Sequence, residues 1–563
     1  MEDNLEMSFV RVARAMLDEA GRVKTTWTPV VKKVYPELVD TANLQEEEAH
    51  TRQRKICTHA RTNIMKLAAA HMSYIFPMGD KWFKLESWRT KENKQQNDDI
   101  DDWFNRATGT VRKEIERSDF YAEMHSACID SCATGTALLH IDMDSNGDLL
   151  DFAHVPAGTF GITRDKSRNL RSVVRRFMMT PAQLHEEFGY EAMTVDMKQA
   201  YDREETRYSA KNSFEIWHLV TPSEDFYGQN DDTILYPFVS VYISAQGNKV
   251  LRVEEQEELP YVCIRFLRYG NSAYGVSPLI GVEDTINDLM SAAESQKLLG
   301  QRAAIPSVLV PYDMEGEVDL RAGGKTLLPM QYINSQVPRE WAPVGNYTVG
   351  LDNIERLKKE LDDALYVTPL EIISQQDRYM TATEVNSREA ERAMTFIPVF
   401  IQVQVDVKHL LNRVFALLIR AGKIVFDESA PKELVTVVKL QDGGASYRLL
   451  NPKISFVGRM AQAMERIQST GADGFIAKML QISSALQDPT GPMMLDWMKY
   501  WYKEASTAGI DPEIFKKPSE IKKAMSELQA ARQEQQGQQN MVMASEANRN
   551  NAAAENYRKQ YQQ

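Results

Sequence analysis

Apolar residues recur every three to four positions through most of this chain, and one block in its first half switches to alternation, so the pattern alone separates helical from β regions. The first 135 residues carry the helical period. Within them, Glu46 to Met72 is built from strong helix formers without Pro or Gly, and the run from Val111 to Cys132 continues in the same style. Phe76-Pro77-Met78-Gly79 stops the earlier helix. From Thr136 the period changes: ALLHIDMD and LLDFAHVP flank Ser145-Asn146-Gly147-Asp148, which predicts two strands joined by an Asn-Gly turn. LRSVVRRFMM, FEIWHLV, ILYPFVSVYIS, KVLRVEE and PYVCIRFLRY extend the β region to Tyr269, with a short helix to Phe188 opened by Thr180 and Pro181.

Beyond Tyr274-Gly275-Val276-Ser277-Pro278-Leu279, the helical period returns from Val282 to Ala303 and stops before Pro306. Residues 304–350 combine Pro and Gly with the short apolar runs SVLV and TLLPMQYI, which reads as a small β-containing excursion. The chain comes back in a second helix, Leu351 to Tyr366, with Leu351, Ile354, Leu357, Leu361 and Leu365 on one stripe. A polar loop, Thr368 to Thr381, leads into a long helix from Thr383 to Ala421, where the missing amide hydrogen of Pro398 predicts a kink. One local signal competes with that helix. Ile401, Val403, Val405 and Val407 alternate with Gln402, Gln404 and Asp406 as a strand would. After Gly422, short strands and turns precede helices between Met460 and Ala508. From Pro518 the chain is Ala, Gln, Glu and Asn, a tail that can be helical but carries no core of its own.

Composition narrows the class of function. With 43% apolar and 26% charged residues over 563 positions, the chain is an ordinary folded, soluble protein of several units. Its 66 basic and 79 acidic residues leave a net charge of −13, the wrong sign for gripping a phosphate backbone across the whole surface. Cys57, Cys128, Cys132 and Cys263 are too few and scattered for a disulfide framework. The opening MEDNLEMSFVRVARAM lacks the basic and apolar regions of a secretion signal. The most apolar stretch, Phe396 to Ala421, is interrupted by Asp406, Lys408, Arg413 and Arg420, so no membrane span is expected.

Few residues suggest chemistry. Gly324-Lys325-Thr326 has the end of a phosphate loop, but the position of its first glycine is Asp319, so Gly323-Gly324 reads as a turn. The cysteines, with His59 and His71, do not match a zinc spacing and read as core residues. The acidic runs Glu46-Glu47-Glu48 and Asp98-Asp99-Ile100-Asp101-Asp102 read as a solvated face or a cap. No catalytic residue, metal site or cofactor is assigned.

The order of these elements, with Tyr274 to Leu279 before the first helix of the returning pair and Thr381-Ala382-Thr383-Glu384-Val385 opening the long helix, resembles the portal proteins, or head-to-tail connectors, of short-tailed phages. The resemblance extends from about residue 40 to about residue 530. It implies an α+β, mostly α fold with wing, stem, clip and crown. Residues 1–280 would be the wing, 281–303 and 351–367 the stem helices, and 304–350 the clip. Residues 368–382 would be the tunnel loop, 383–421 the kinked wing helix, 422–517 the wing end and crown, and 518–563 a helical tail able to form a barrel.

It further implies a ring, usually of twelve copies, at one capsid vertex, through which double-stranded DNA is packaged and ejected. The implied partners are the packaging terminase, then a tail adaptor, with the major capsid and scaffolding proteins around the ring. Such a protein belongs to the virion after synthesis in the bacterial cytoplasm. Gln375, Gln376, Arg378 and Tyr379 are the DNA-facing candidates in the loop, with packing between subunits as the less favoured alternative. Lys297, Arg302, Lys358 and Lys359 are lumen candidates, against the ordinary reading of solvated helix faces or pairs such as Glu355 with Lys359. Asp313, Glu315, Glu317 and Asp319 are docking candidates in the clip, or else an acidic exposed turn. The alternatives are another virion ring component, such as an adaptor or tail-tube subunit, and an ATPase or nuclease.

Overall fold

The computed structural model describes residues 2–42, 55–88, 94–144, 146–227, 236–304, 307–309, 339–341, 347–367, 382–426, 435–439, 445–449 and 451–457, with short helical pieces between 475 and 554. Residues 1–461 form one compact unit and 462–563 a second, within which the longest described helix spans 475–483.

Helix α1 (Glu2–Val34) is amphipathic, and its stripe of Phe9, Val10, Ala13 and Met16 packs on a five-stranded antiparallel sheet. That sheet has the order β4 (Phe160–Arg164), β5 (Leu170–Met179), β6 (Phe214–Pro222), β7 (Phe238–Ser244), β8 (Lys249–Gln256). Val174, Trp217, Leu219, Val239, Val241 and Ile243 supply its side of the core. A second antiparallel sheet places β2 (Thr136–Met143) between β3 (Leu150–Val155) and β9 (Tyr261–Arg265). The β2–β3 hairpin turns at Gly147, whose φ of 72° needs a residue without a Cβ, as the Asn-Gly signal requires. Helix α2 (Pro36–Ala42), α3 (Thr58–Ile75), α4 (Lys94–Arg117) and α5 (Phe120–Thr134) precede this sheet, and α3 and α5 pack together. Between β5 and β6, α6 (Pro181–Ala192) opens with Thr180 and Gln183 in a reciprocal capping box, followed by the short α7 (Val195–Asp202) and α8 (Glu204–Arg207).

After the short α9 (Glu224–Tyr227), α10 (Glu283–Ala304) and α11 (Tyr347–Ala364) form the returning pair. They are linked through β10 (Ser307–Leu309) and β11 (Arg339–Trp341), which pair antiparallel. Helix α12 (Ala382–Arg420) follows, then β12 (Val435–Lys439), β13 (Ala445–Leu449) and β14 (Lys453–Phe456), the last pairing with β1 (Phe83–Glu86).

One competing signal is resolved and two expectations are corrected. The alternating run from Ile401 to Val407 is helical, as the long helix from Thr383 predicts. Val403, Val407, Leu410, Leu411 and Val414 are buried at helical spacing while Ile401 and Val405 are 46% and 38% exposed, so the core contact follows the 3.6 period. The run from Val111 to Cys132 is two helices. Ser118 donates to the Ile115 carbonyl at 2.7 Å and accepts from the Phe120 amide at 3.3 Å, a local turn that competes with helix continuation. The helix expected from Glu46 begins at Thr58. Lys55 to Cys57 are non-helical, with the Cys57 amide taken by the Lys33 carbonyl of α1 at 2.8 Å, and residues 46–54 lie outside the described residues. The short strands Phe83–Glu86 and Phe160–Arg164 carry no alternation long enough to read.

Candidate functional site

The segment from Tyr274 to Leu279 launches α10, and each of its distinctive residues has a physical task. The Tyr274 hydroxyl accepts from the Ile162 amide of β4 at 3.1 Å, tying the segment to the larger sheet. Gly275 donates its amide to Thr136 Oγ1 at 2.9 Å and lies backbone to backbone against Gly135, so a Cβ on either glycine would collide with the other's carbonyl region. Gly135 also ends α5 with a φ of 91°, a left-handed cap that strongly favours glycine. Ser277 donates to the Cys132 carbonyl at 2.7 Å and accepts from the Leu279 amide at 3.0 Å. One buried hydroxyl thus satisfies a free carbonyl at the end of α5 and a free amide at the approach to α10.

The root of the α10–α11 pair is clamped by the N-terminal helices. Lys33 donates to Glu283 at 3.2 Å and to Asn287 at 2.6 Å, and Lys55 donates to Glu294 at 2.7 Å. On α11, Asp362 accepts from Asn63 at 2.7 Å and meets His59 Nε2 at 2.8 Å. Lys55, the largest cause, holds the Glu294 carboxyl below its ordinary pKa. On the two helices, Ile286, Leu289, Leu357 and Leu361 are buried, and the Gln296 side-chain amide lies against Gly350. The remaining faces are exposed and charged.

Helix α12 is fixed to the body downstream of Pro398. Asp406, fully buried, accepts from the Arg265 backbone amide at 3.0 Å and from its guanidinium at 3.1 Å, and also pairs with Arg268. One helical turn earlier, Gln402 donates to the same carboxylate at 3.4 Å. Arg413 pairs with Glu258 at 3.2 Å, and Arg420 with Glu257 and Glu258 at 3.2 and 3.1 Å. Pro398 itself is exposed within the helix.

Of the residues singled out from sequence, Lys297, Arg302, Lys358 and Lys359 are exposed on the returning pair. Lys358 and Lys359 have no ion pair among the described residues, and the expected Glu355–Lys359 pair is not among them. Gln375, Gln376, Arg378 and Tyr379, the acids Asp313, Glu315, Glu317 and Asp319, and Gly324-Lys325-Thr326 lie outside the described residues. The four cysteines are buried thiols, as read, and burial pushes Cys128 and Cys263 up to about 12. The buried anchors Asp406 and Arg265, with the half-buried Arg268, went unnoticed in the sequence, although an Asp among Ile, Val and Leu on a helix is a signal for a hidden cation partner.

A second buried polar string has the residue types of a hydrolytic site. His218 sits between Ser240 Oγ at 2.8 Å and the Tyr261 hydroxyl at 2.6 Å. Ser240, His218 and Tyr261 are 0%, 3% and 2% exposed, so the serine faces packed protein and the string joins the two sheets. No group of His, Cys, Asp or Glu among the described residues has metal-binding geometry, and no helix among them is long and apolar enough to cross a membrane.

Residues 9–515 match the family model described as bacteriophage head to tail connecting protein. The chain is 21% identical over 550 residues to a probable portal protein of Bordetella phage BPP-1, spanning 93% of this chain and 92% of that relative. It is 21% identical over 437 residues to a portal protein of Salmonella phage epsilon15, spanning 75% of this chain and 73% of that relative.

Proposed function

We propose, from the premise that the chain belongs to the bacteriophage head to tail connecting proteins, that copies of it form a portal ring through which double-stranded DNA enters and leaves the capsid. The observation that carries the reading is the α10–α11 pair: rooted by α1 and α3 at one end, joined by a paired ribbon at the other, and left with charged, exposed flanks. These are the stem helices of the proposed ring. The preceding body is the wing, 304–350 the clip, 368–382 the tunnel loop, and the second unit includes the crown and tail.

Twelve helices about 10 Å wide set side by side give a circumference near 120 Å and an axis radius near 19 Å, leaving a bore of roughly 28 Å. That bore passes a duplex. At −13 per copy, twelve copies carry −156, so a lumen with this balance repels phosphates and favours sliding over retention. The function is conduction without turnover, and no cofactor or metal enters it.

Gln375, Gln376, Arg378 and Tyr379 are placed by this reading at the narrowest part of the channel, where amides and a ring crowd the duplex and Arg378 touches phosphate transiently. Pro398 removes the helical bond to the carbonyl four residues earlier, and this reading puts a bend there, between the loop and the anchored half of α12. The acids Asp313, Glu315, Glu317 and Asp319 offer the clip a surface for a basic face of the terminase and later of the tail adaptor. The ring occupies the head–tail junction of the virion, bounded by capsid and scaffolding proteins. Replacing residues 375–379 with a Gly-Ser linker tests the loop. Rings are expected to assemble while packaged DNA slips back; undiminished retention removes the valve role.

A further inference from the structure

One flank of α1 and a corner of the larger sheet enclose a groove of about 730 Å³, and we propose that it docks an extended segment of a partner protein carrying an acidic side chain between apolar ones. The groove belongs to a single chain, so the inference does not rest on the ring.

The space arises where the helix and the sheet stop matching. Helix α1 packs its core stripe on Val174, Leu219 and Val241, but two residues along β5 and β6 the same face of the sheet presents Ser172 and Thr221. Thr163 lies opposite Ser172 in the β4–β5 register, and Ser172 Oγ is 3.0 Å from Thr221 Oγ1, so three small hydroxyl residues stand in a row across three strands. Side chains this short leave empty the volume that Val or Leu would fill. The facing wall is the stripe Leu5, Ser8, Val12, Ala15, Met16 and Glu19, centred about 100° around α1 from its core stripe. Phe226, whose ring lies 4.4 Å from that of Phe9, adds an aromatic side.

The polar groups of the lining select an acid. Arg164 lines the groove from the end of the edge strand β4, is half-buried, and forms no hydrogen bond or ion pair among the described residues. The charges around it are already engaged: Arg171 by Glu224 and Asp225, Glu19 by Arg22, and Asp165 by the Asn169 amide at 2.7 Å. Ser172 and Thr221, 4% and 2% exposed, share one hydrogen bond between two hydroxyls, so the second hydroxyl hydrogen has no acceptor among the described residues. A guanidinium and a buried hydroxyl, both with donors to spare, are complementary to a carboxylate.

The shape selects an extended chain. Leu5 to Glu19 spans about 21 Å along α1, so the volume corresponds to a mean cross-section of roughly 35 Å² and a width of roughly 7 Å. A helix, about 10–12 Å across, does not enter. An extended backbone, which needs about 5 Å beside its neighbour, does, and the length holds about six residues. Such a chain turns alternate side chains to opposite sides. The two sides of the groove differ in the same way, with hydroxyls and Arg164 from the sheet and Leu5, Val12 and Met16 from the helix. An acidic residue with an apolar residue on either side of it satisfies both.

Positional-scanning libraries of acetylated hexapeptide amides, passed over the immobilised full-length protein, test this. Peptides with Asp or Glu at one position and Leu, Val or Phe on either side of it are expected to be retained at least about tenfold over the same peptides with Lys in the acidic position. Arg164→Glu is expected to reverse that preference, and Arg164→Gln, the milder change, to abolish it. Ala15→Trp, at an exposed position of α1, is expected to fill the groove and remove retention of every library while circular dichroism and melting stay native. Equal retention of acidic and lysine peptides by the native chain, an acid preference that survives in R164Q, or retention untouched by A15W overturns the site. Decanoate that displaces the acidic peptides and binds more tightly than any of them assigns the groove to a free acyl anion and overturns the peptide reading.

Discussion

Asp406→Asn is the sharpest perturbation of the frame that holds the long helix. The wild-type carboxylate is 0% exposed and compensates the guanidinium of Arg265, 4% exposed, and that of Arg268, 20% exposed. Asparagine keeps the size and one oxygen for the Arg265 amide, yet it removes the charge and turns an NH2 toward two cations. Losing two charge-assisted contacts at about 1.5–2 kcal/mol each puts the cost near 3–4 kcal/mol. Asp406→Ala also strands the buried Arg265 amide and should cost about 1 kcal/mol more. Urea unfolding followed by far-UV circular dichroism, at one protein concentration, measures the difference, with the exposed Lys408→Ala as a control expected within about 0.5 kcal/mol of native. The triple change D406L/R265M/R268M should recover most of the loss, because an apolar set of similar volume leaves no buried charge unpaired. A loss under about 1 kcal/mol in D406N refutes the claim that this ion cluster anchors α12.

Gly275→Ala forces a Cβ into the Gly135 backbone; loss of soluble protein or a drop of at least about 3 kcal/mol in stability is expected, and a native-like melt would show that the launch segment has slack. Ser277→Ala removes the hydroxyl shared by Cys132 and Leu279 and should cost about 1–2 kcal/mol in the same assay, with no change speaking against the shared cap. His71 is held by burial at a pKa of about 4, below the unfolded 6.5, so the chain remains fully stabilised above pH 6.5 and loses stability as the pH falls toward 4. The loss is on the order of a few kcal/mol; His71→Phe should flatten that part of the stability–pH curve, and an unchanged slope would assign the acid sensitivity elsewhere.

Much of the fold was legible because its elements obey one period each. The strands from Thr136 to Tyr269, the capped helix at Pro181 and the returning pair α10–α11 all have local patterns that tertiary contacts reinforce. Where the pattern left two readings open, at Val403 and Val407, burial at the 3.6 period decides for the helix. The places where reading failed have physical reasons. Ser118 breaks a helix by bonds that no apolar pattern encodes, and Phe83–Glu86 is a strand because Lys453–Phe456, far along the chain, pairs with it. Tyr274 to Leu279 was visible as a motif, but its task was not, since Gly135, Thr136, Ile162 and Cys132 meet it only in three dimensions.

The measurement closest to the central claim is electron microscopy of the purified full-length protein, classified for end views. The account predicts closed rings with a central bore near 28 Å, the value for about twelve helices set side by side around the axis. A uniform monomer or dimer that persists at high protein concentration, or rings whose bore is too narrow for a duplex, would contradict it.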